Sequence, residues 1–152
     1  MTTFGTISHG TLRTEDLLVA FADELERQVQ QNGKTGIENQ STVVLIWEAR
    51  EVIDFESELA AEFVNDLTDA LNEYAPPYSY FGANEGDGSD FGFWPSIDSI
   101  DMAIFDGEIL KLEAGDEIPD DYEGEVVFVT DHGNITLGYT QEGKFIETWA
   151  IV

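Results

Sequence analysis

Apolar residues Leu17, Leu18, Phe21, Leu25 and Val29 recur at the 3.6-residue period behind Thr14-Glu15-Asp16. A hydroxyl that can cap a helix, followed by two acids that suit its positive end, predicts a helix from Thr14 to about Asn32-Gly33. A second helix is predicted from Ser57 to Tyr74, where Leu59, Phe63, Leu67, Ala70, Leu71 and Tyr74 share one face and Pro76-Pro77 bars continuation. Between them, residues 33–41 read as a connector. The apolar run Val43–Trp47 has the length of a buried strand, but Glu48-Ala49-Arg50-Glu51-Val52 continues it with helix formers, which favours helix.

Beyond the prolines the period changes. Tyr78–Gly82 and Phe91–Trp94 read as aromatic strands joined by the loop Ala83–Asp90, whose glycines permit positive φ. Ser96 is expected to cap a short helix through Ala103, and an acid-rich polar passage then runs to Gly124. Val126–Thr130, Ile135–Thr140 and Phe145–Ile151 read as a three-stranded meander, with Asp131-His132-Gly133-Asn134 and Gln141-Glu142-Gly143-Lys144 as turns. Helices first and antiparallel strands afterwards predict an α+β fold, the helices on one face of one sheet. At 152 residues the expectation is a single domain, 1–152.

Composition changes the picture through charge. Six Lys and Arg face thirty-two Asp and Glu, for a net charge of −26. From Glu51 to Leu110 there are fifteen acids and no Lys or Arg, whereas residues 126–152 carry a net charge of only −2. Folding does not ask for such an imbalance, because an ordinary surface mixes both signs to gain i,i+4 pairs and avoid repulsion. Direct binding to nucleic acid or to an anionic membrane is disfavoured. The natural partner is a basic protein surface. Ten Phe, five Tyr and three Trp exceed what a disordered acidic tail carries. Without cysteine there is no disulfide or thiolate chemistry, and no basic leader or long apolar stretch opens the chain; a cytoplasmic protein is expected. The aromatic and Val/Ile-rich strands leave room for a two-fold interface between copies.

Three stretches carry a resemblance: Ser8-His9-Gly10-Thr11-Leu12-Arg13 leading to Asp16-Leu17 and Ala20-Phe21; Ala75-Pro76-Pro77-Tyr78 through Tyr80-Phe81-Gly82-Ala83, Gly86-Asp87-Gly88 and Asp90-Phe91-Gly92-Phe93-Trp94; and Asp131-His132-Gly133-Asn134 before Thr136-Leu137. Over about half the chain these resemble a family of small, largely uncharacterised proteins carried by bacteria, plasmids and phages. The resemblance implies a mobile-element setting and no particular activity.

Were residues 48–74 one helix, Glu48, Glu51, Asp54, Glu58, Glu62, Asp66, Asp69 and Glu73 would fall within a stripe of about 120°. Carboxylates four residues apart then stand about 6 Å apart along the axis, close to the spacing of phosphates along a DNA strand. Phe55 is out of phase and marks a break near Asp54. The expected function is a DNA-mimic inhibitor that covers the DNA site of a restriction, CRISPR or repair enzyme. Its partner-binding residues are Glu51, Glu58, Glu62, Asp66, Asp69 and Glu73, extended by Asp98, Asp101, Asp116 and Asp120, and it needs no cofactor.

Two alternatives stand beside it. One is a small-ligand or divalent-metal-binding domain, an enzyme if Asp131-His132 serves the same site: Asn84, Asp87 and Asp90 of the Asn84–Asp90 loop offer oxygens to a divalent cation, although Gly86 and Gly88 occupy places where an EF-hand needs ligands. A saline habitat would also favour acid, spread over the whole surface. Asp131-His132 is the one acid–base pair, but no nucleophile motif accompanies it, and a turn is the simpler reading. His9 stands alone. Tyr78, Tyr80, Phe91 and Phe93 are expected to be core, since the surrounding acid would repel a nucleic-acid backbone from a stacking platform. Gly33-Lys34-Thr35 lacks the glycine a phosphate loop needs five residues earlier.

Overall fold

A computed structural model describes residues 4–32 and 37–151. In chain order the elements are β1 (Gly5–Ser8), α1 (Thr14–Asn32), α2 (Ile37–Arg50), α3 (Glu58–Asn72), β2 (Ser79–Asn84), β3 (Asp87–Pro95), α4 (Ile97–Phe105), β4 (Ile109–Glu113), β5 (Glu125–Val129), β6 (Ile135–Gln141) and β7 (Lys144–Ile151). The fold class is α+β. In place of one sheet there are two, in two compact units: Met1–Ala75 with Ser79–Pro95, and Pro76–Tyr78 with Ser96–Val152.

In the first unit, helices α1, α2 and α3 pack together and against an antiparallel sheet of order β1-β3-β2. Leu17, Leu18, Phe21 and Leu25 of α1 are buried with Leu67 and Leu71 of α3 and with Phe81 and Phe93 of the sheet. Phe21 meets the edge of Phe81 at 5.0 Å between ring centroids and an interplanar angle of 85°, the geometry in which ring quadrupoles attract. The inward residue of β2 is thus Phe81, with Tyr80 half-buried and its hydroxyl donating to the Ala83 carbonyl.

Local chemistry differs from expectation in four places. Arg13, not Thr14, holds the cap position of α1: its carbonyl accepts from Leu17 N–H, while the Thr11 hydroxyl accepts from Arg13 N–H and donates to Asp16. The run Val43–Trp47 is helical, and residues 37–41, expected in a connector, open α2; residues 33–36 lie outside the described residues. The expected loop Ala83–Asp90 shrinks to a tight hairpin turn at Glu85-Gly86, because Asn84 Oδ1 accepts from Gly86 N–H at 2.8 Å and so supplies the turn that a longer loop would otherwise make. Strand β1 carries one large apolar residue, Ile7, and gave no strand signal. It fits against β3 because Gly92 has no side chain; a Cβ there would run into the Gly5 carbonyl.

The second unit is a four-stranded sheet, β4-β5-β6-β7, parallel between β4 and β5 and antiparallel elsewhere. Val126, Val127, Leu137 and Trp149 form its buried centre with Ile100, Ala103 and Ile109. Ser96 precedes α4 as expected, but its hydroxyl donates to Ser99 Oγ and does not cap the helix. Residues 76–78 belong to this unit: Trp149 Nε1 donates to the Pro77 carbonyl at 2.7 Å, and Tyr78 donates to the Glu125 carboxylate at 2.8 Å. Burial, then the bond to Glu125, push the Tyr78 hydroxyl up to about 12.

Candidate functional site

Helix α2 ends before α3 begins, so the eight-acid stripe is not one helix. Glu51 lies just past the end of α2, and Asp54 builds the connector: its carboxylate accepts from Glu56 N–H at 3.1 Å and its carbonyl from the Ser57 hydroxyl at 2.7 Å. Ser57 then caps α3, its Oγ accepting from Ala60 N–H at 3.2 Å. The break falls where Phe55 leaves the helical phase, and Phe55 packs against the core.

What remains is a shorter face. Glu58, Glu62, Asp66 and Asp69 of α3, with Glu73 at its C-cap, step by four, four, three and four residues, so they fall within about 80° of arc and span about 22 Å of axis. All five are exposed. Among the described residues none of them enters an ion pair, because the three arginines are engaged elsewhere: Arg13 with Glu15, Arg27 with Glu24, and Arg50 with Asp23 and Glu26. No basic residue stands in the last turn of α3, where the helix dipole opposes Asp69 and Glu73.

The second unit holds the other expected residues. Asp98 and Asp101 are exposed on α4, on the same face as Met102 and Phe105, which are 66% and 89% exposed. Asp116 and Asp120 are exposed in the connector 114–124. Asp116 also serves the fold, since its Oδ2 accepts from Glu113 N–H at 2.9 Å and closes the end of β4. Thr140 pins the same connector by donating to the Tyr122 carbonyl and accepting from Gly124 N–H.

The hairpin carboxylates are spent on their own turn. Asp87 Oδ1 accepts from both the backbone N–H and the hydroxyl of Ser89, at 3.0 and 2.9 Å, and these bonds hold its carboxyl below the usual range. Its other oxygen lies 3.8 Å from His9 Nε2. Asp90 has one buried carboxylate oxygen without a hydrogen-bond partner. Among the described residues no three His, Asp or Glu side chains gather as a metal ion requires. His132 and Asp131 are exposed in the turn before β6.

A groove of about 530 Å³ lies where α1 and α3 begin, lined by Arg13, Thr14 and Glu15 and by Ile53 to Ser57. Two helix N-termini invite an anion, but Glu15, Asp54 and Glu56 on its wall repel one. The sequence reading missed a different class of residue: apolar side chains left in solvent. Val43, Val44 and Trp47 of α2 are exposed, Trp47 by 64%, while among its described side chains only Ile46 and Ala49 are buried. Leu59, expected on the core face of α3, is 56% exposed and lines an open groove with Val52 and Phe63.

Comparison with known proteins finds no matching family model, curated protein or solved structure. Among the described residues no helix is long and apolar enough to cross a membrane.

Proposed function

We propose that this chain is an acidic interaction module that imitates duplex phosphate and occupies the DNA-binding surface of a basic nucleic-acid-processing or defence protein. The observation that carries the reading is the exposed face of α3, on which Glu58, Glu62, Asp66, Asp69 and Glu73 stand without a compensating cation among the described residues. Steps of about 4.5 to 6 Å along the axis suit cationic side chains arranged to meet successive phosphates. Inhibition is competitive: the negative field steers association, and salt weakens it. A phosphate mimic carries spacing and no base code, so it takes its target by the shape of the DNA site and not by that site's sequence preference. The resemblance to proteins of plasmids and phages adds a setting in which a host restriction or CRISPR enzyme is the target.

The test is capture from nuclease-treated bacterial lysate on immobilised wild-type protein and on Glu62→Lys/Asp66→Lys, eluted between about 0.1 and 1 M salt. A DNA-processing enzyme held by the wild type, released by added duplex DNA and not held by the double variant, is the expected result. Equal recovery on both columns would remove the α3 face from the reading.

A further inference from the structure

The groove between the end of α2 and the start of α3 combines two features that a phosphate mimic alone does not need. Its floor is apolar, formed by Val52, Leu59 and Phe63, and its rim is acidic, formed by Glu48 and Glu51; its volume is about 370 Å³. Phosphate recognition asks only for charge. An arginine side chain asks for both, because its three-carbon stem lies along apolar surface while the guanidinium seeks carboxylate oxygens or an aromatic face.

The protein does not fill this groove itself. Arg50 is the arginine nearest in sequence, and it is committed to Asp23 and Glu26 of α1 at 2.8 and 2.7 Å. Among the described residues neither Glu48 nor Glu51 has a cationic partner. Glu56, Glu58 and Glu62 follow within the next turns, so the field around the groove has one sign. A neutral apolar side chain would leave that field unanswered, whereas a cation on an apolar stem answers both floor and rim.

The geometry points to this groove as the seat of an arginine from a basic polypeptide, an anchor beside the electrostatic face of α3. The inference rests on the proposed function for its assumption that the partner is a basic protein, and it adds what that reading lacks: a contact that survives salt. Charge–charge attraction across exposed faces is screened within about 3 Å at 1 M salt, while apolar burial is not.

Two capped probe peptides test it with the full-length chain: oligoarginine, and a peptide of alternating arginine and leucine. Binding is measured by fluorescence anisotropy at about 0.15 and 0.5 M salt. The variants are Leu59→Gln, a helix-compatible loss of the floor; Glu48→Gln/Glu51→Gln, a loss of the rim; and Glu62→Lys/Asp66→Lys on α3. The floor variant is expected to weaken the arginine–leucine peptide roughly tenfold at both salt concentrations, the rim variant roughly tenfold at about 0.15 M and less at about 0.5 M, and the α3 variant less than the floor variant at about 0.5 M. Far-ultraviolet circular dichroism checks that each variant is folded, and Leu59, Glu48 and Glu51 are exposed enough to be replaced without touching the core.

Wild-type-like binding by either the floor or the rim variant overturns the anchor, as does a wild type that binds neither peptide. The two readings fail separately. Loss of captured enzyme on Glu62→Lys/Asp66→Lys with an inert groove leaves the mimic without an anchor, and the reverse leaves an arginine site without mimicry.

Discussion

Helices α1 and α3 pack side by side in the first unit, and both are acidic, but they use their carboxylates in opposite ways. Every one of the five acids of α1 accepts a hydrogen bond from a named partner: Glu15 from Arg13, Asp16 from Thr11, Asp23 and Glu26 from Arg50, and Glu24 from Arg27 and Gln28. The four acids of α3 and its C-cap Glu73 have no such partner among the described residues. One helix has its charge built into the fold, and the other presents it. Acid that folding uses is thereby separated from acid that folding merely tolerates, and the second kind is where a function that needs negative charge belongs.

The contrast is tested most severely by removing one acid from each helix. Glu24 is 7% exposed, and Glu24→Ala removes the acceptor of bonds from Arg27 and Gln28; urea unfolding is expected to show a loss of about 1–3 kcal/mol. Glu62→Ala, at an exposed and unpaired site, should stay within about 0.5 kcal/mol of wild type. Equal losses would erase the distinction.

Next in size is the cap that starts the acidic helix. Ser57→Ala removes the acceptor for Ala60 N–H and should cost about 1 kcal/mol, read as a lower urea midpoint with an unchanged slope.

Acid titration separates the helices further. The hydrogen bond from Arg50, and then its charge, hold the Glu26 carboxyl below its ordinary 4.5. A carboxyl depressed in the folded state stabilises above its unfolded value, and that contribution is lost as the pH falls through the folded one. Arg50→Ala is therefore expected to be less stable than wild type near neutrality, with the gap closing as the pH is lowered beneath about 4. A gap that stays constant down to the acid transition would mean that Arg50 acts through packing alone.

At the far end of α3 a slight gain is expected in place of a loss. Asp69→Lys/Glu73→Lys places cations at the negative end of the helix, so the thermal midpoint should rise by a few degrees while capture of the partner weakens. A variant both more stable and equally competent in binding would detach Asp69 and Glu73 from the interface.

Much of this arrangement was legible in the chain. The period of Leu17, Phe21 and Leu25, and of Phe63, Leu67 and Leu71, located both long helices, since a core face at that spacing has no other use. The meander was legible because its strands are joined by turn chemistry. Strand β4 was not: Ile109–Glu113 pairs in parallel with β5 across the connector 114–124, so no hairpin turn announces it, and Lys111 and Glu113 make it look like surface. Strand β1 depends on the absence of a side chain at Gly92, a tertiary fact. For the acidic face, charge gave the residues and the phase of Phe55 marked the break near Asp54, where the Asp54 carboxylate accepts from Glu56 N–H. The exposed Leu59 was unreadable because helical phase shows which side a residue occupies and not whether that side is covered.

The three residues 76–78 impose an order on synthesis. They leave the ribosome directly after α3, yet Pro77 and Tyr78 receive their partners Trp149 and Glu125 only when the second unit is nearly complete. The first unit has all its strands and helices once residue 95 has emerged, so the acidic helix is able to form while the second unit is still being made. No single cut between the units frees the second one intact, because a break after residue 95 leaves Trp149 without the Pro77 carbonyl.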